Sequence, residues 1–591
     1  MLKKIKEITL KEFKIEFEQF DEIQKEKEKE SEEILQDLNL KEVANFNPNL
    51  VNTANLYQLL WLYKSDLITL KDIEHTDRIK YLLKTSKDLG ILKKSLIDGY
   101  QEKKSDSFCF PTIIIALPYM NPYYKNKIKE SIYQLNKQKQ PIAKNIKQLK
   151  FIEQNINDYN YYINQEKDTQ LKYKESSQTL YEKKRYLLFL DVIGYLHSSF
   201  ETSPYIRLPE RGSSLNQYIS RLSPSQYKKT SPNNNYSIAR NIKEIGKALS
   251  KNIPPEVLDF LKNYGDGIFA ISDLPLEWLL VQKVPLAFLC DVCRIPETGI
   301  TSTLSQFNTN SKVFYSIEED ILSKTLVICG AKSDDPIFDR YKTQLEKQQV
   351  NLSYTTAHVE SKDEFFDKVN AINPHLLVID SHGNFESQEE GSYIWIGDEK
   401  VTGDEIINNL PSIPLVILSC CWGTPIYGNS NTIAQAFFEK GTLSVLSTFL
   451  PISIDKGFLL YFRILNNLSN ATKNGLHKSW MNFLSHTIRT AYFDDLLIPV
   501  FDKIGKKVLN NTKYLDNRVY WQASSMYLEY RSKMYKEVND FVYDSIKEGY
   551  KKRVKRLLKN SPIIPEFMLY THLGRGDLIK FQSWLKANNF V

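Results

Sequence analysis

Four short, nearly continuous apolar runs punctuate the second half of the chain: Leu326-Val327-Ile328-Cys329, Leu376-Leu377-Val378-Ile379, Leu415-Val416-Ile417-Leu418 and Leu443-Ser444-Val445-Leu446. Runs of this length suit strands buried on both faces. Between them, Phe338 to Gln349 and Phe365 to Ile372 carry helical spacing. Buried strands alternating with helices predict a mainly parallel sheet covered by helices on both faces. Upstream the pattern differs. The first 45 residues are strongly charged, with Lys and Glu alternating from Lys25 to Glu30, and read as a solvated helix or frayed arm. From Leu56 to Ile97 apolar residues recur at three and four, as in an amphipathic helix. Ile113-Ile114-Ile115 is a short β-like run, and the polar stretch from Asn121 to Lys184 predicts one or two long helices. Leu187 to Tyr195 is apolar enough to dock on a core. Thr202 to Asn235 holds Pro204, Pro209, Gly212, Pro224 and Pro232, and reads as a loop and domain boundary. Leu509 to Val591 is again helical in pattern, with a basic cluster at Lys551, Lys552, Arg553, Lys555, Arg556 and Lys559. The expected organisation is a mostly helical region over 1–200, a linker over 201–252, an α/β domain over 253–508 and a helical region over 509–591.

Composition narrows the class. A chain of 591 residues, 42% hydrophobic and 25% charged, is globular and too long for one small core. The net charge of +7 is too diluted to mark the whole chain as a nucleic-acid binder. No apolar run reaches membrane-span length, and no secretory signal follows the basic N-terminus. Six cysteines are too sparse for a disulfide scaffold, so free thiols in the cytoplasm are expected.

In parallel sheets, reactive groups collect beyond the carboxyl ends of the strands. The second apolar run leads into Asp380-Ser381-His382-Gly383, and the third into Ser419-Cys420-Cys421-Trp422-Gly423. A histidine and a cysteine thus sit at equivalent ends of two successive strands. If those strands pair, about 5 Å separates them, and the side chains can meet as a nucleophile and its base. Cys421-Trp422-Gly423 supplies Cys-x-Gly, 39 residues after His382; caspase-type cysteines stand about 50 residues after their histidine. The N–H groups of Gly383 and Cys421 are candidates for an oxyanion hole.

These residues resemble the CHAT domain family of caspase-like cysteine proteases, in the clan of caspases, separases and gingipains. The resemblance rests on four elements in order: Leu274-Pro275-Leu276-Glu277-Trp278-Leu279, then Ser381-His382-Gly383, then Leu418-Ser419-Cys420-Cys421, then Gly441-Thr442-Leu443-Ser444-Val445-Leu446 through to Asp455. It covers about Ile253 to Leu468. It implies a caspase-like α/β fold over 253–508, His382 as base or imidazolium partner, and Cys421 as nucleophile, since Cys420 takes the family's Ala position. One departure is Trp422-Gly423-Thr424, where the family has x-Thr-Gly. The resemblance further implies an endopeptidase without cofactor or metal. A partner or ligand at the N-terminal region would trigger it, and it would cleave a protein encoded nearby, in antiphage defence or programmed cell death. The alternative is an inactive caspase-like scaffold or sensor.

Other features read less sharply. Asp380, two residues before His382, shares its strand face and is a candidate orienting group, although a turn-capping role is the commoner use. Cys290 and Cys293 form a lone Cys-x-x-Cys with no second pair at zinc spacing, so no metal site is expected. Asp398, Asp455 and Glu277 are acidic candidates near the sheet. The basic cluster suits a solvated helix face, with nucleic acid as a weaker alternative.

Overall fold

The computed structural model describes residues 235–588 apart from 252, 264–266, 297–314, 348–352, 388–390, 427–431 and 561–563. It also describes 51–52, 55, 80, 82–89, 112–118, 190–199, 202–208 and 214–222. The expected charged arm and the expected helices between Asn121 and Lys184 lie outside the described residues.

The strands that frame the core and the rim are β1 (Ile113–Ala116), β2 (Tyr205–Arg207), β3 (Gly267–Ile271), β4 (Asp291–Ile295), β5 (Thr325–Cys329), β6 (Thr355–His358), β7 (Leu376–Asp380), β8 (Gly383–Ser387), β9 (Gly391–Ile396), β10 (Glu399–Val401), β11 (Leu415–Ser419), β12 (Ser444–Thr448) and β13 (Tyr570–Gly574). Ten of them form one sheet in the order β2-β1-β3-β4-β13-β12-β11-β7-β5-β6. Every neighbouring pair is parallel except β12 and β13. The sheet is therefore two parallel five-strand blocks of opposite sense, joined at an antiparallel seam. The four apolar runs are β12, β11, β7 and β5, buried strands as their pattern predicts, and they lie side by side. The fold is the mostly parallel, helix-covered sheet expected.

Helices cover both faces of the second block. On one face lie α3 (Pro336–Lys347) and α7 (Ile454–Asn474), which bury Ile337, Tyr341, Phe458 and Ile464 in the larger core; α8 (Trp480–Ile504) follows α7 and packs on β4 of the first block. On the other lie α4 (Lys362–Ile372), α5 (Gly403–Asn409) and α6 (Ile433–Glu439), which bury Phe365, Ile406, Phe437 and Phe438. Local chemistry fixes their ends. Ser361 caps α4 by accepting from the Glu364 N–H, and a left-handed Asn373 stops it. Thr402 and Glu405 form a capping box on α5. Earlier, α1 (Asn235–Ser250) and α2 (Pro255–Asn263) pack into the larger core.

The sheet draws strands from outside 253–508. The proline-rich stretch after Thr202 contains β2, and β2 is an edge strand, where a short Pro-flanked segment is tolerated. The C-terminal stretch supplies helices α9 (Asn511–Ser524), α10 (Leu528–Asp544) and α11 (Lys551–Asn560), and then β13 in the middle of the sheet. Hydropathy does not mark β13, because its polar side chains are paired and buried. His572 Nε2 lies 2.7 Å from Ser444 Oγ, and Thr571 Oγ1 donates to Glu277 Oε1 at 2.6 Å and accepts from Arg294 Nε at 2.8 Å. Glu277 is buried, and Trp278 beside it donates to the Met568 carbonyl at 2.8 Å. The Leu-Pro-x-Glu element thus bonds to β13 and to the Met568 carbonyl just before it. A second buried tie joins Asp291 at the start of β4 to Arg489 on α8 at 2.6 Å.

Candidate active site

The site grows from the carboxyl ends of β7 and β11. These strands pair in parallel from Leu376↔Leu415 to Asp380↔Ser419. Both chains leave the sheet at the same rim. Beyond β7, Ser381 donates its N–H to the Ser419 carbonyl at 3.3 Å, and its hydroxyl bonds the Trp395 carbonyl. His382 follows, with a half-exposed side chain. The chain then enters β8, which pairs with β9 and β10 in a small antiparallel sheet. Gly383 faces Ile394 there, while the Trp395 N–H donates to the His382 carbonyl at 2.9 Å. That pattern makes Gly383↔Ile394 a pair without mutual hydrogen bonds, so the Gly383 N–H points away from β9.

Beyond β11, the turn Cys420 to Thr424 is pinned to the end of β12. Thr448 Oγ1 donates to the Cys420 carbonyl at 2.6 Å, and the Thr424 N–H donates to the Thr448 carbonyl at 3.0 Å. Trp422 adopts the left-handed conformation, φ +60°, and is buried in the larger core. This is an uncommon backbone for a bulky residue, and burial of the indole offsets its cost. Gly423 is required by contact, since a Cβ there would lie 2.3 Å from Ser447 Oγ. The turn places the two thiols differently. Cys420 is fully buried in the second core, whereas Cys421 is partly exposed and leans on the first.

The two loops touch through Gly383. A Cβ on this residue would lie 2.3 Å from the Cys421 carbonyl oxygen and 3.2 Å from its nitrogen. The backbones beside His382 and at Cys421 are therefore in direct contact. The side chains bond elsewhere in this arrangement. Cys421 Sγ donates to the Ile452 carbonyl at 3.7 Å, and His382 Nε2 lies 2.8 Å from Asp335 Oδ2. Cys421 and His382 are not hydrogen-bonded to each other. Burial pushes the Cys421 thiol up, and that of Cys420 further.

Asp335 is the residue that sequence reasoning missed. It lies in the loop beyond β5, the strand next to β7, at the start of α3. Its Oδ1 accepts the Ile337 N–H at 2.8 Å as a helix cap, while Oδ2 holds the imidazole. The available signal was Asp334-Asp335-Pro336 past the carboxyl end of the first apolar run.

Asp380 points elsewhere. It accepts from Ser419 Oγ at 3.1 Å, and the Tyr461 hydroxyl faces it. It is buried, and desolvation raises its carboxyl to about 7. Between the ordinary carboxyl range and that value, the folded chain holds a proton that the unfolded chain has released. Stability therefore falls as pH rises through this window. Asp380→Asn is expected to flatten that decline and to raise stability at neutral pH by up to a few kcal/mol. Thermal melts across the window read this; an unchanged slope would show that Asp380 titrates normally.

The remaining candidates are structural neighbours. Asp398 pairs with Lys332 at 2.5 Å and Asp455 with Arg340 at 2.9 Å. The Cys290 thiol donates to the Leu261 carbonyl at 3.4 Å, and Cys293 to Asp577 Oδ1 at 3.7 Å; both are buried. Among the described residues, no cluster of three metal-ligating side chains occurs.

A helix-covered, mostly parallel sheet with this rim is a caspase-like α/β fold. Within it, residues 345–479 match the family model described as CHAT domain. The matched segment covers less than a quarter of the chain and includes both His382 and Cys421. Among solved structures, the chain is similar to the complex of Porphyromonas gingivalis RgpB pro- and mature domains, with 9% identity, 80% of each chain covered and a TM-score of 0.34. It is also similar to the Arg-specific cysteine proteinase gingipain R, with 8% identity, 64% of this chain and 72% of that chain covered, and a TM-score of 0.33. No curated protein matches the chain.

Proposed function

We propose that this chain is a cysteine endopeptidase. The observation that carries the reading is the contact of Gly383 with the Cys421 backbone, which brings a histidine loop and a cysteine turn together at one rim. Cys421 attacks a peptide carbonyl. His382 takes up the thiol proton and later gives a proton to the leaving amine. The outward N–H of Gly383 and the N–H of Cys421 receive the oxyanion. Water then hydrolyses the acyl-enzyme. Asp335, fixed by the helix it caps, orients the imidazole and faces the positive charge that it gains on taking the proton.

The present hydrogen bonds suit a latent state. The thiol is tied to Ile452 and raised by burial, while the imidazole, oriented by Asp335, makes no hydrogen bond to it. A small shift of the Cys421 turn or of His382 would pair them, which gives a trigger something to act on. In this reading the protease is switched on by a partner or ligand and cleaves a companion protein, in antiphage defence or programmed cell death.

The test is reaction with a peptidyl electrophile, followed by mass-spectrometric location of the adduct, with and without proteins encoded beside the chain. An adduct on Cys421 supports the reading. Absence of any adduct under every trigger tried favours a scaffold. Asp335→Asn keeps an acceptor for the helix cap but removes the charge at the imidazole. It is expected to slow labelling about 10–100-fold, within the range of general-base effects, and Asp335→Glu should recover part of it.

A further inference from the structure

The second half of the molecule carries a charge concentration that the proposed proteolysis does not use. Helix α11 presents Lys552, Lys555, Arg556 and Lys559 at positions i, i+3, i+4 and i+7, one stripe of a helix. Arg553 borders it. All five are exposed, and none makes an ion pair with a described residue. The opposite side of the helix is anchored, with Val554 fully buried and Leu557 and Leu558 packed against the core. The surface continues through Lys547, whose Nζ donates to the Lys507 carbonyl at 2.9 Å and so ties the segment leading into α11 to the turn carrying Lys506 and Lys507. Across 502–507 and 544–560 there are ten lysines and arginines against three acids, Asp502, Asp544 and Glu548. Their excess equals the whole chain's net charge of +7.

We infer that this face of α11 binds the phosphodiester backbone of a nucleic acid. Four cations within about 10 Å of helix axis form a line of charge as dense as few surfaces other than a phosphate chain can match. A bilayer is the poorer occupant. An interfacial helix needs apolar side chains on its outward face, and those of α11 are turned inward. Nothing in the patch reads base edges, so the contact is electrostatic and tolerant of sequence.

The experiment uses the full chain with fluorescent 30-mer probes: single-stranded RNA, single-stranded DNA and duplex DNA. Binding is followed by anisotropy as salt rises from about 50 to about 200 mM. Five phosphate contacts predict a slope of log K against log salt of about −3.5 for the single strands and about −4.5 for the duplex, a fall in affinity of roughly 100- to 500-fold across that range. The variant Lys552→Ala/Arg553→Ala/Lys555→Ala/Arg556→Ala/Lys559→Ala should lose at least about tenfold in affinity at the lowest salt and most of the slope. Its thermal melt should be unchanged, because the altered side chains are exposed. A control of the same kind on α1, Arg240→Ala/Lys243→Ala/Lys247→Ala, should bind as the parent does. The arms separate RNA from DNA. No binding at low salt overturns the inference. So does equal binding by the α11 variant, or binding to phosphatidylserine vesicles in place of all three probes.

Discussion

Cys421→Ala is expected to abolish labelling by a peptidyl electrophile and to cut any proteolysis by about 10⁵-fold or more, the scale seen when a hydrolase loses its nucleophile. Cys420→Ala should leave both nearly intact. The contrast follows from strand geometry. Successive residues leave β11 on opposite faces. Cys420 thus enters the packed core with Leu418, Phe437 and Val445, and its thiol is held far on the neutral side by burial. Removing its sulfur opens a small void, worth about 1 kcal/mol, and changes no group at the rim. Cys421 is the partly exposed thiol, beside Gly383 and below the Ile452 carbonyl. Two readouts keep the result clean. Adduct mass locates the reacting sulfur, and a thermal melt shows that each variant is folded. Labelling that persists in Cys421→Ala and vanishes in Cys420→Ala would reverse the assignment and require the turn to invert.

Much of this site was legible in the sequence, for a definite reason. Strands buried on both faces must be apolar throughout, so β5, β7, β11 and β12 announce themselves, and the residues just beyond them lie at one rim. His382 and Cys421 are found by that argument before any family resemblance is invoked. What escaped is what polar pairing hides. The segment forming β13 reads Tyr-Thr-His-Leu-Gly, and only the Ser444, Glu277 and Arg294 partners make its burial tolerable. Those partners come from three distant segments. Asp335 escaped for a related reason. A carboxylate before proline at a helix start is commonly just a cap. Only the fold shows that one oxygen caps while the other reaches the imidazole. Asp380 attracted notice by lying on the histidine's own strand, yet the end of that strand turns its carboxyl under the sheet towards Ser419.

The sharpest steric test lies at Gly383. Gly383→Ala adds one methyl group, and its position is already occupied: 2.3 Å to the Cys421 carbonyl oxygen, 3.1 Å to Cys420 Cβ and 3.2 Å to the Cys421 nitrogen. The first neighbour is backbone, so it cannot rotate aside as a flexible side chain would. Relief must come from separating the histidine loop from the cysteine turn. The turn resists, because Thr448 holds its Cys420 carbonyl and Ser447 crowds Gly423. The expected costs are about 1–3 kcal/mol of stability, as for other overpacked sites, and about 10²–10³-fold in the rate of reaction at Cys421, the scale of one misplaced oxyanion donor. The second effect exceeds what the first can produce, since a folded chain weakened by that amount is still nearly all folded. Gly549→Ala is the control. A Cβ there meets nothing within 4 Å, so rate and melt should stay at the parent's values. If Gly383→Ala reacts at the parent's rate while its melt falls, the close approach is structural only, and the oxyanion must be received by donors other than the Gly383 N–H.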